Sequence, residues 1–114
     1  MKLINIEDNH SWVPGGHAGS LSREVVTKSH GATQVSVHST TVAPGGSSDM
    51  ERHPDSEQIF VVLAGEIEYT DGQGVELVAG PGTAIFVPID HPHASANRTS
   101  KDVVLMVITA PPTG

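Results

Sequence analysis

Histidine is the chain's distinctive chemical resource: seven His and no Cys among 114 residues. Disulfides, thiolate metal sites and cysteine nucleophiles are excluded. The candidates gather in two segments. In the first, Glu51 and His53 lie two apart, so extended backbone points both to one side, and Gln58 opens the next strand after a bend at Pro54 and Asp55. In the second, His93 follows a turn bounded by Pro88 and Pro92, with His91 at its rim. These groups, brought from two hairpins to a barrel mouth, can converge on one ion. Such a mixed N/O set suits divalent Fe, Mn, Ni, Co or Zn rather than Cu(I). Each residue also has a plainer role open to it: Glu51 as a solvated loop carboxylate, Gln58 as an internal hydrogen-bonding group.

His38 precedes the first segment on a strand of its own. Facing an interior, it would be a candidate general acid or base near neutral pH; a solvent-facing position is the ordinary expectation. His10, His17 and His30 fall in polar stretches, Asp49 and Asp55 in loops, and none carries a signal. With one Trp and one Tyr, an aromatic-rich substrate box is not expected. No Ser stands in a nucleophile-elbow setting, and no His-Glu-x-x-His helix, P-loop or dinucleotide-binding glycine motif is present.

The elements that must position these groups read as short strands. Fourteen Val and seven Ile, against five Leu, are punctuated by 12 Gly and 8 Pro. That composition predicts an all-β sandwich or barrel. Residues 1–20, broken by Pro14, Gly15, Gly16 and Gly19, are expected as an irregular N-terminal arm, and 21–114 as a single barrel domain. Strands are expected over 21–28, 34–42, 58–63, 66–69, 75–78, 83–87, 93–96 and 103–108. The second of these is expected to stop at Pro44-Gly45-Gly46. Within it Val35, Val37, Ser39 and Thr41 share one face, and Ser36, His38, Thr40 and Val42 the other. The strands over 58–63, 83–87 and 103–108 are apolar on both faces, whereas a small sandwich has one inner face per sheet. Their outer faces need a cover, either the N-terminal arm or a second subunit, and a homodimer is expected on that ground.

Six Lys+Arg against 13 Asp+Glu give a net charge of −7. That field disfavours phosphate backbones and anionic lipid, so neither nucleic acid nor membrane is an expected partner; a small molecule is. No apolar run approaches the ~18 residues of a membrane span, and the first residues lack a signal-peptide stretch, so a cytoplasmic location is expected.

The glycine, histidine and proline spacings carry a resemblance to the small single-domain cupins. That family has the motifs G(X)5HXH(X)3-4E(X)6G and G(X)5PXG(X)2H(X)3N. Here Gly45, Glu51, His53, Gln58 and Gly65 keep the spacing of the first, and Gly82, Pro88, Asp90, His93 and Asn97 that of the second. Three types depart: Glu51 stands for the first His, Gln58 for the Glu and Asp90 for the second-motif Gly. The resemblance implies a double-stranded β-helix (jelly-roll β-sandwich) with a divalent metal held by Glu51, His53, Gln58 and His93. Two His, one Glu and one Gln keep the single negative charge of a His3Glu set. It further implies an enzyme working on a small organic molecule in the barrel, with oxygenase-type or isomerase-type chemistry. The catalytic candidates are Glu51, as free base if only three ligands bind, and His38. The rival readings are a non-catalytic ligand- or metal-binding cupin and a metal-free acid–base enzyme.

Overall fold

The computed structural model describes residues 1–113. Its regular structure is two 3-10 turns (Ile6–Asp8 and Lys28–His30) and nine strands: β1 Ser11–Trp12, β2 His17–Val26, β3 Ser36–Ser48, β4 Glu57–Ala64, β5 Ile67–Thr70, β6 Glu76–Ala79, β7 Ala84–Val87, β8 Ala94–Ala96 and β9 Val103–Ala110. Every pairing is antiparallel. The strand order β6-β5-β8-β3-β9-β4-β7, with β2 along β3 and β1 along β2, forms a nearly closed barrel. No helix among the described residues is long and apolar enough to cross a membrane.

Strand alternation decides what the barrel encloses. In β9, Val103, Leu105, Val107 and Thr109 are buried while the intervening residues are half-buried. Paired neighbours bring Val62 of β4 and Val42 of β3 to the same inner face, and Ile67 and Tyr69 of β5 close the core from the facing wall. Extended backbone puts alternate residues on opposite faces, so these registers fix the whole inner surface. The inner face of β2 is polar: Ser20 and Ser22 are buried, and Ser22 Oγ lies 2.8 Å from Thr40 Oγ1. Leu21 between them is half exposed. β2 therefore lines a chamber rather than a packed core.

Two expected boundaries are corrected. β3 does not stop at Pro44-Gly45-Gly46 but continues to Ser48, turning a corner at Gly45, whose φ is +79°. Its first half lies between β2 and β9; beyond the corner Ser47 pairs with Ala96 of β8. The irregular stretch expected over 1–20 contains β1 and the start of β2. Gly19, at φ +72°, makes a bulge there rather than a break, and β2 resumes its pairing with β3 at Ala18↔Ser47 and His17↔Ser48. Both strands bend together, one with glycines at the corner and the other with a glycine bulge. Asn97 braces the corner from inside: its Nδ2 donates to the carbonyls of Val42 (2.9 Å) and Lys101 (2.7 Å). A second motif glycine, Gly65, has φ +77°, and a Cβ there would run into the Asp102 carbonyl oxygen, so only glycine fits.

The outer face of β7-β4-β9-β3 carries the register row Phe86, Ile59, Ile108, Val37. The N-terminal segment does not cover Phe86, which is 57% exposed; β1 lies against β2 on the far edge of the sheet.

Candidate metal centre in the barrel chamber

Glu51 and His53 sit on the loop between β3 and β4, and His93 just before β8. A backbone bridge joins the two loops. Glu51 N donates to His93 O and His93 N to Glu51 O, both at 2.8 Å. Directly opposed residues of an antiparallel pair project their side chains to one face, so the bridge alone sets the Glu51 carboxylate beside the His93 imidazole. A second tie runs from Asp90 N to His53 O (2.9 Å). Asp90 occupies the left-handed region at φ 59°, where the cupin motif has glycine. Aspartate tolerates that region better than most residues, and here its carboxylate accepts a fork from Arg52, at 2.9 Å from Nε and 2.7 Å from Nη2.

Glu51, His53 and His93 each offer a ligand atom, and these atoms lie within 4.8 Å of one another. The state of each suits a cation. His93 is buried, and its Nδ1–H donates to His91 O at 3.0 Å, which leaves the Nε2 lone pair aimed away from the backbone. Burial, the largest of several influences, lowers the His93 pKa, so the ring is neutral at pH 7. Its Nε2 is nevertheless buried without a hydrogen-bond partner. Gln58, one wall further along the same chamber, repeats that pattern: Nε2 donates to Thr109 Oγ1 (3.1 Å), while Oε1 is buried and unpartnered. Buried acceptors left without donors are uncommon in native proteins, and a divalent cation satisfies them directly. A mixed imidazole and oxygen set of this kind fits a divalent transition metal.

Sequence reasoning missed His17. It was expected in a polar loop without a role; the β2 bulge instead delivers it across the barrel mouth, where its Nε2–H donates to Glu51 Oε1 at 2.7 Å. That hydrogen bond is the main cause that holds the Glu51 carboxyl below its ordinary pKa, against the opposing effect of burial. The other oxygen, Oε2, lies 3.8 Å from His53 Nε2. One carboxylate oxygen is thus fixed by His17 and the other faces the imidazoles. The only sequence signal for His17 is its place between the glycines of a bulge, which local periodicity does not reveal.

His38 corrects the solvent-facing expectation. Its strand face is the inner one, so it lines the chamber and lies 5.4 Å from the Trp12 ring, centroid to centroid. Phe60 lines the chamber, joined there by the single Trp12 and the single Tyr69, and the chamber's volume is about 340 Å³. Burial raises the Tyr69 pKa far above its usual value, keeping that hydroxyl protonated. His91 remains exposed and serves the site through its carbonyl; His10 and His30 lie away from it.

Because His17 holds the carboxylate from outside the triad, His17→Ala is expected to weaken zinc binding by about 10- to 100-fold, with Glu51→Ala weakening it at least as much. Competition with a chromophoric chelator at pH 7.5 reads both. Unchanged affinity in His17→Ala would show that the His17 hydrogen bond does not prepare Glu51 for a cation.

Comparison with known proteins agrees with the fold. The Cupin domain family model matches residues 38–109, more than half of the chain and both ligand loops. Among solved structures, the chain is similar to the polyketide cyclase RemF from Streptomyces resistomycificus, with a TM-score of 0.87 at 24% identity over 98% of this chain and 80% of that one. It is similar to a predicted oxalate decarboxylase from Thermotoga maritima (TM-score 0.83, 15% identity, 97% and 100% of the two chains). A sugar phosphate isomerase of the cupin superfamily from Silicibacter pomeroyi is a third (0.80, 20%, 97% and 76%). Identities this low speak for the fold alone. Joined to a family match that spans the paired loops of Glu51, His53 and His93, they establish that the chain belongs to the cupin family.

Proposed function

We propose that the protein is a metal-dependent cupin enzyme that acts on a small organic molecule held in the barrel chamber, with oxygenase-type or isomerase-type chemistry. The observation that carries this reading is the buried, unpartnered Nε2 of His93 beside Glu51 and His53. Glu51, His53 and His93 would hold the ion, with the Gln58 carboxamide oxygen as fourth donor. A divalent ion there supplies Lewis-acid polarisation of a substrate oxygen. The chain's own groups do the rest. The apolar walls at Phe60, Leu105 and Val107 exclude water from the bound molecule. Tyr69 offers a hydroxyl that stays protonated. His38, neutral because burial lowers its pKa to about 4, faces the same space and is placed to hydrogen-bond the substrate rather than to take its proton near neutral pH. Similarity to structures described as a cyclase and an isomerase supports rearrangement chemistry as a class.

A metal-free reading has one observation in its favour, the short His17–Glu51 hydrogen bond, which makes Glu51 an ionised base facing the chamber. Metal content separates the two. The untagged protein, dialysed and analysed by elemental mass spectrometry, is expected to hold near one equivalent of a transition metal per chain, or to take it up on titration. The His53→Ala/His93→Ala double variant is expected to hold none, with its far-UV circular dichroism unchanged. Absence of uptake by the unaltered protein would reject the metal and leave Glu51 as the base.

We further propose a homodimer as the working unit, closed over the Phe86–Ile59–Ile108 row. An apolar strip at an open sheet face is the kind of surface that a second copy buries. Light scattering at micromolar concentration is expected to give twice the chain mass, and Phe86→Glu to shift it toward one; a monomeric unaltered protein contradicts the reading.

A further inference from the structure

The chamber has two chemically different ends. Registers across four strands place Glu24, His38, Val107 and Phe60 in one inward row. The Phe60 ring meets His93 (5.8 Å between centroids) and Tyr69 (5.0 Å), so it marks the end that holds the metal-ligand candidates. His38 stands two strands away, roughly 10 Å along the sheet. Over it lies Trp12, tilted by 60° at 5.4 Å. Trp12 is held there by β1, where it pairs with Ser22 and so shares Ser22's inward face, and by stacking with His10, whose ring centroid lies 6.0 Å away.

This second end differs from the first in what its imidazole can offer. Three chamber imidazoles are engaged at the first end: His17 with Glu51, His93 with the His91 carbonyl, and His53 facing Glu51. The His38 ring has no hydrogen-bond partner among the described residues and, unlike His53, lies against no carboxylate of the ligand cluster. Burial first, and the charge of His17 second, lower its pKa to about 4, so at pH 7 it is neutral and presents one donor and one acceptor nitrogen. The surroundings select what can meet it. Glu24, paired beside His38, puts a carboxylate at this end; no arginine lines the chamber, and the lining Lys28 is exposed. A phosphate or carboxylate finds repulsion at this end. An aromatic plane finds the indole face, and an uncharged oxygen finds the imidazole. A chamber of about 340 Å³ lies at the small end of the range for organic ligands.

We propose that Trp12 and His38 form a recognition subsite for an uncharged planar ring bearing a hydroxyl or keto oxygen, the ring lying against the indole and the oxygen hydrogen-bonded to the imidazole. The proposal rests on the chamber being the small-molecule site of the proposed enzyme, but it does not require the metal to be present. It assigns the substrate of that enzyme to the class of neutral hydroxylated or keto-bearing ring compounds.

Trp12 is the chain's single tryptophan, so its indole N–H gives one identifiable cross-peak in a proton–nitrogen correlation spectrum. The probe is 2-naphthol, titrated into the protein as purified and, separately, into the His53→Ala/His93→Ala variant. A saturable shift of the Trp12 peak is expected in both. His38→Leu is expected to weaken binding by about five- to tenfold, and His38→Gln, which keeps a donor and an acceptor, by less than about threefold. The charged analogue 2-naphthyl phosphate is expected to bind at least about tenfold more weakly than 2-naphthol. No saturable shift of the Trp12 peak, equal affinity in His38→Leu and the unaltered protein, or preference for the phosphate would each overturn the subsite. Failure of ring binding in a protein that still takes up metal rejects the subsite alone. Ring binding in a protein that takes up none rejects the metal reading alone.

Discussion

Two backbone hydrogen bonds between Glu51 and His93 govern the functional geometry of this protein. The loops they join come from different parts of the chain, one leaving β3 and the other entering β8. Untied, each would carry its ligand candidate independently, and ordering them would cost conformational entropy at the moment an ion bound. The bridge removes that cost in advance. It also fixes sidedness, because residues that exchange both hydrogen bonds show their side chains to the same face. Asp90 N to His53 O and the Arg52–Asp90 fork extend the clasp outward, while the Nδ1–H of His93 sets its tautomer from behind. The barrel in turn holds this bridge at one end of its chamber.

The departures from the family motif become intelligible within that frame. Glu51 in place of histidine brings the negative charge to the first position, and Gln58 in place of glutamate gives it up at the fourth. His17 then completes the exchange by binding one oxygen of the displaced carboxylate. Asp90 in place of glycine accepts a left-handed backbone in return for a partner that ties it to the first loop. Each departure has a neighbour that answers its chemistry: His17 for Glu51, Thr109 for Gln58 and Arg52 for Asp90.

How much was legible in the sequence follows from the range of the interactions concerned. Turn glycines and the spacing of His53 and His93 are local demands, and through the cupin resemblance they pointed to the barrel and to Glu51, His53, Gln58 and His93 as candidates. Alternation correctly divided 36–42 into two faces but did not say which was inward, since Thr40 and His38 are polar residues lining a chamber and read as solvent-facing. His17 and Trp12 were illegible for a different reason. Their positions depend on a bulge in β2 matched to a corner in β3, and on a two-residue strand pairing with β2, neither of which leaves a periodic trace. The same corner explains why proline and two glycines at 44–46 redirected β3 instead of ending it.

The central claim is that Glu51, His53 and His93 hold a metal ion in a site already organised by the backbone bridge. X-ray absorption spectroscopy at the edge of the bound metal, on protein loaded with one equivalent, tests it most directly. A first shell of nitrogen and oxygen only, with the outer-shell scattering of two imidazoles, is predicted, and no bound metal in His53→Ala/His93→Ala. A shell without imidazole, or one unchanged by the two substitutions, would contradict it.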